Sequence, residues 1–178
     1  LEAPTRDCAI QAAIQTVVAE DFGIERSKVL VGVARTLIAT GKTEDALQTL
    51  AVALEEARSV RLSLVTQEKI TEIAPLMARA GDTSGAMNLA AELQNDSIRD
   101  LVLFRIAEEA ARRGELAEMR SALGETRNEN RAFWRELSLL TKAPRSALEG
   151  VDTASIESKV RGVERPEQLY RGLIQLAI

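Results

Sequence analysis

Gly41-Lys42-Thr43 is the segment of this chain closest to a chemical motif, because glycine, lysine and threonine in that order close the loop that cradles nucleotide phosphates. That loop needs an earlier glycine at the position held here by Thr36, and it must follow a strand. The residues before Gly41 have helical spacing, so nothing would aim backbone amides at a phosphate. The same three residues read better as a helix-ending glycine, a turn residue and Thr43 as N-cap of the next helix. Asp82-Thr83-Ser84-Gly85 has a faint likeness to an aspartic-protease loop, but the glycine is misplaced and there is one copy, so a turn and cap is expected. Asn95-Asp96-Ser97 fits a glycosylation sequon. Ser97 with Asp100 also makes an N-cap for a helix starting at Ile98, and this reading is preferred because it explains that start.

What is missing limits the chemistry further. The chain has no histidine, which removes serine-histidine and cysteine-histidine nucleophilic machinery, the zinc-protease helix motif and the commonest proton shuttle near neutral pH. Cys8 is the single cysteine, so no intrachain disulfide or cysteine-only metal site can form, and a small apolar residue on the first helix is expected there. Carboxylates remain, but Glu55-Glu56 and Glu108-Glu109 are sequence neighbours that point apart on a helix, as solvated acids do. No catalytic residue, cofactor or metal is expected. The 23 basic and 27 acidic residues are spread along the chain without a basic stripe interleaved with aromatics, which argues against nucleic acid as a partner. No apolar run approaches the length of a membrane span. The chain starts at Leu1 and ends at Ile178 within a helical pattern, so processed or cut ends are expected. Compartment stays open between the cytoplasm and, with a leader removed, the periplasm or exterior.

The elements that must position any site are helices. Alanine, leucine, glutamate and arginine dominate, aromatics are scarce, and strand-like alternation is lacking, so the fold class is all-α. Three glycines, Gly41, Gly81 and Gly114, follow amphipathic stretches where a helix should stop. Aligned on them, Leu30, Ile70 and Leu103 fall eleven residues upstream, Val33, Ile73 and Ile106 eight, Ala34, Ala74 and Ala107 seven, and Leu37, Met77 and Ala110 four. Downstream, Ala46, Ala86 and Met119 stand five residues on, and Leu50, Ala90 and Leu123 nine on. This internal repeat predicts a helix of about thirteen residues, a tight turn at glycine, and a second helix whose first buried residue is small enough for close packing.

The strings LVGVARTLIATGKTEDAL, ITEIAPLMARAGDTSGAM and LFRIAEEAARRGELAEM resemble the tetratricopeptide family over roughly residues 26–126. The glycine spacings depart from that family's 34 residues, being 40 and then 33, so the first interval must hold a longer helix or loop, expected around Ser59-Val60-Arg61-Leu62-Ser63. Met119 stands where the family has alanine. The resemblance implies antiparallel hairpins stacked as a short right-handed α-α superhelix, with residues 7–25 as a capping helix and 127–178 as further helices, the last unit truncated. Around that core, Ile10, Ala13, Ile14 and Val17 share a face over 7–20, as do Phe133, Leu137 and Leu140. Pro144 and Pro166 suit first helical turns, Gly150 and Gly162 close the pieces between, and Leu173 and Leu176 mark a last helix. Pro75 falls inside the first helix of the second unit, and a kink rather than a break is expected there.

A protein-interaction module follows as the leading expectation, since the first helices of such pairs line a concave groove for a peptide or partner protein. The resemblance places Lys28, Val31 and Arg35 of the first unit on that groove, with Glu68, Thr71 and Arg79 of the second and Phe104, Glu108 and Arg112 of the third. Arg35, Arg79 and Arg112 would suit acidic side chains or a terminal carboxylate. The alternative is a scaffold or oligomerisation segment of a longer repeat protein, and an enzyme is the least favoured class.

Overall fold

A computed structural model describes residues 23–60, 63–127, 129–149, 151–152, 154–156 and 158. Of the capping helix expected over 7–25, residues 7–22 lie outside the described residues and 23–25 instead open the first described helix; Cys8, Gly150, Gly162, Pro166 and the stretch from Tyr170 to Ile178 also lie outside the described residues, as does the side chain of Phe133. The described elements are helices: α1 (Gly23–Ala39), α2 (Thr43–Ser59), α3 (Ser63–Ala80), α4 (Thr83–Ala91), α5 (Asp96–Arg113), α6 (Leu116–Gly124), α7 (Glu129–Leu140) and α8 (Arg145–Leu148). The all-α expectation holds, and no strand occurs among the described residues. The chain packs as two units, Leu1–Val102 and Leu103–Ile178, the division falling inside α5.

The three glycines all have positive φ, 78° at Gly41, 113° at Gly81 and 82° at Gly114. Each ends its helix in the same way. The glycine amide donates three residues back, to the carbonyls of Ile38, Ala78 and Ala111 at 3.0, 3.1 and 2.9 Å. The next amide, of Lys42, Asp82 or Glu115, donates to Leu37, Met77 or Ala110 at 2.9 to 3.0 Å. Those same three residues are the N-caps of the following helices, and their carbonyls accept the first helical bonds from Ala46, Ala86 and Met119. One residue thus closes one helix and opens the next, which leaves no slack in the turn. Two expected caps move as a result. The N-cap of α2 is Lys42, with Thr43 already helical. That of α5 is set by Asn95, whose Oδ1 accepts from the amides of Ser97 and Ile98, so the helix begins ahead of Ile98. At Asp82 the expectation stands, with Oδ1 accepting from the Gly85 amide at 2.8 Å.

The first helices run 17 or 18 residues rather than about thirteen. The second helices differ sharply: α2 has 17 residues, α4 and α6 have 9 each. The long first glycine interval is therefore taken up by extra helix in α2, not by a loop. Ala46, Leu50, Ala53 and Ala57 recur along α2 at three- and four-residue steps and are all fully buried, so the longer helix has a continuous face to pay out against its neighbours. α3 runs unbroken through Pro75.

In the first unit α1 packs on α2, α3 touches both of them, and α4 packs on α3. The second helix pair is thus stacked on the first, with α3 resting on both α1 and α2. Of the aligned apolar positions only Met77 is less than fully buried, at intermediate exposure. Because α3 has neighbours on several sides, it also buries Leu76, Ala78 and Ala80. Polar groups tie the helix ends: Arg26 pairs with Glu56 at 2.9 Å, Arg58 with Glu92 at 2.9 Å, and the Gln67 amide group bridges the Glu92 carbonyl and the Gln94 amide. In the second unit α6 packs on α7, burying Met119, Ala122, Leu123, Leu137, Leu139 and Leu140. Pro144 caps α8, and a Cβ placed on Gly114 would meet the Cβ of Ala147 at 2.9 Å.

Candidate functional site

Within the first unit, α1 and α3 are adjacent first helices and carry six of the residues expected at a groove. Lys28 is exposed and its Nζ donates to Glu25 Oε1 at 2.8 Å. That hydrogen bond raises its pKa above the ordinary lysine value, and Glu68 and Glu72 of α3 add to the same direction. Lys28 and Glu68, distant in sequence, therefore share one electrostatic surface. The Thr71 hydroxyl donates to the Glu68 carbonyl one turn back at 2.7 Å, so its proton is used within its own helix. Arg35 and Arg79 are exposed, and neither forms an ion pair with another described residue. They do not occupy matching positions: Arg79 stands two residues before its glycine, whereas Arg35 stands six before its own, one helical turn further back. Val31 is 2% exposed. It belongs to the packed interior rather than to an open face, because apolar positions on α1 close both on α2 and on α3.

Lys69 was not singled out by sequence and is buried, its Nζ 3.1 Å from Glu72 Oε2. The spacing of three between them was a readable signal of a helical ion pair, but nothing local indicated the burial.

The second unit holds Phe104, Glu108 and Arg112. The guanidinium of Arg135 in α7 lies 4.9 Å from the Phe104 ring centre, covering the ring with a cation. Arg112 is held at 2.8 Å by both Glu108 and Glu109, one turn back on its own helix. Glu108 also accepts from Lys142 at 2.5 Å. The Lys142 hydrogen bond, with the positive charges of Arg112, Lys142 and Arg105, holds the Glu108 carboxyl below the ordinary range against the effect of its partial burial. Arg112 is thus already committed to two carboxylates. Glu108 and Glu109 could have been read as its partners from spacing alone, whereas Lys142 is 34 residues from Glu108 and no local pattern announces it.

The carboxylate pairs carry cations rather than sharing protons. Glu55 pairs with Arg58 and Glu56 with Arg26. An acid catalyst near neutral pH needs a raised carboxyl pKa, and Glu108 is moved the other way. Among the described residues no group of three histidine, cysteine, aspartate or glutamate side chains is placed to hold a metal, and no helix is long and apolar enough to cross a membrane. Comparison of the chain with protein-family models, with curated proteins and with solved structures finds no match.

Proposed function

We propose that this chain is a protein-interaction module built from tetratricopeptide-like helix pairs of the right-handed α-α superhelical class, and that it binds a peptide or partner protein on the exposed faces of α1 and α3. One observation carries the reading: Arg35 and Arg79 stand exposed on successive first helices without an ion pair to any described acid, on the same two helices as Lys28 and Glu68. An exposed guanidinium with its fork free recognises carboxylates by paired hydrogen bonds, so acidic side chains or a chain terminus are the expected ligand groups. The way α3 rests on both α1 and α2 supports a repeat architecture, and the three matching glycine turns support repetition of one structural unit. The neutralised carboxylate pairs favour binding over catalysis.

The test is affinity capture from the source organism with the wild-type chain and with a variant carrying Arg35→Glu, Arg79→Glu and Arg112→Glu. Partners recovered by the wild type should be lost or sharply reduced on the variant, with most of the loss coming from the first two changes. Equal recovery of the same partners by both baits removes the assignment.

A further inference from the structure

The second unit contains a cleft of about 220 Å³ that none of the expected groove residues enters. Its floor is apolar. Leu137 and Leu140 of α7 lie at 3% and 7% exposure, and Val151 and Ile156 face them, half-buried. Its rim is polar. Arg120 of α6 reaches Glu136 of α7 at 2.7 Å, closing one side with a neutralised pair. On the rim as well, Asp152 and Ser155 are exposed, and one carboxylate oxygen of Asp152 accepts from the Ser155 amide at 3.0 Å. Asp152 forms no ion pair with another described residue, so among the described residues the rim keeps one negative charge without a paired cation.

Size decides what fits. The space exceeds the roughly 150 Å³ cavity that accepts a benzene molecule and falls below the roughly 300 Å³ at which pockets begin to enclose drug-sized ligands. A leucine side chain, smaller than benzene, enters it with room left for part of the adjoining backbone. The apolar floor supplies the burial, and the exposed Asp152 carboxylate on the rim favours a cation close to the anchor. We propose that this cleft is an anchor pocket for a leucine-like side chain of a peptide that carries a lysine or arginine beside that residue. The pocket lies wholly within the second unit and does not depend on the assignment of the α1 and α3 faces.

The test uses the full chain, isotope-labelled, titrated with two blocked tripeptides, acetyl-Lys-Leu-Lys-amide and acetyl-Glu-Leu-Glu-amide, with backbone amide shifts as the readout. The basic peptide should move the amides of Leu137, Leu140, Asp152, Ser155 and Ile156, and bind about fivefold or more tightly than the acidic one at low salt. Asp152→Asn keeps an acceptor for the Ser155 amide and should erase most of that preference. Ser155→Phe places a ring over the cleft from an exposed position and should abolish the shifts while the helical signal and melting curve stay as in wild type. The Arg35→Glu, Arg79→Glu chain should bind the basic peptide like wild type, which separates failure of this pocket from failure of the α1 and α3 assignment. The proposal is overturned by any of three results: no cleft shifts with either peptide up to about 10 mM, as when the chain's own residues fill the space; equal affinity for both peptides; or unchanged binding by a folded Ser155→Phe chain.

Discussion

Replacing the glycines one at a time by alanine turns the helix-ending geometry into a stability series with a built-in sign reversal. Gly41 has φ +78° and nothing within 4 Å of an added Cβ, so Gly41→Ala is penalised only by the left-handed backbone, about 1–2 kcal/mol. Gly81 is equally open but sits at φ +113°, beyond the left-handed well near +57°, and its alanine variant should lose more. Gly114 has the same backbone demand as Gly41, and its Cβ would meet Ala147 Cβ at 2.9 Å and Pro144 Cγ at 3.2 Å, which adds about 1–3 kcal/mol of overpacking. Gly32 is the control. It lies inside α1 at ordinary helical φ with open space around it, and Gly32→Ala should gain about 0.5–1 kcal/mol. For a chain of this size each kcal/mol moves the melting temperature by roughly 2–4 °C, so circular dichroism melts resolve the order. Gly32→Ala should melt highest, then wild type, then Gly41→Ala, with Gly81→Ala and Gly114→Ala below. If Gly41→Ala melts with Gly32→Ala above wild type, Gly41 does not hold a left-handed turn and the shared hairpin geometry is wrong. Asparagine, which tolerates that conformation, should recover part of the loss at Gly41.

Three other expectations test separate features. Asp82→Ala removes the oxygen that accepts from the Gly85 amide and should destabilise by about 1 kcal/mol, while Asp82→Asn stays near wild type; equal losses in denaturant melts would show that the side chain is not a cap. A double-mutant cycle on Arg58 and Glu92 should give about 0.2–1 kcal/mol of coupling, shrinking with added salt, since both side chains are roughly half exposed; coupling well above that, or insensitive to salt, contradicts a solvent-screened pair. Because the Glu108 carboxyl is held below its ordinary range, its ion-pair stabilisation is full above the unfolded carboxyl's pKa and is lost as pH falls through the lower folded value. Lys142→Met should therefore raise the Glu108 pKa in carboxyl carbon NMR titrations, and its stability deficit at neutral pH should shrink as pH falls through the wild-type folded value; an unmoved titration rules out the contact.

Sequence alone determined what depends on neighbours along the chain. Left-handed turns demand glycine, and a buried helix face demands apolar side chains every three or four residues, so Gly41, Gly81 and Gly114 with their aligned stripes revealed both the all-α class and the hairpin turns. Met77 shows the limit of that inference, matching the register yet keeping part of its surface. The caps at Lys42 and Asn95 were misplaced by one or two residues: Lys42 caps through its backbone with no side-chain bond, so only backbone geometry set it ahead of Thr43, while Asn95 offered a capping oxygen as suitable as that of Ser97. Tertiary structure decided the rest. Whether the long first interval became helix or loop depended on a packing surface for Ala53 and Ala57. Val31 and Lys69 became buried because helices from elsewhere in the chain closed over them. The cover of Arg135 on Phe104, the clamp of Lys142 on Glu108 and the cleft between α6, α7 and Val151, Asp152, Ser155 and Ile156 join groups far apart in sequence, and a contact of that kind leaves no local spacing to read.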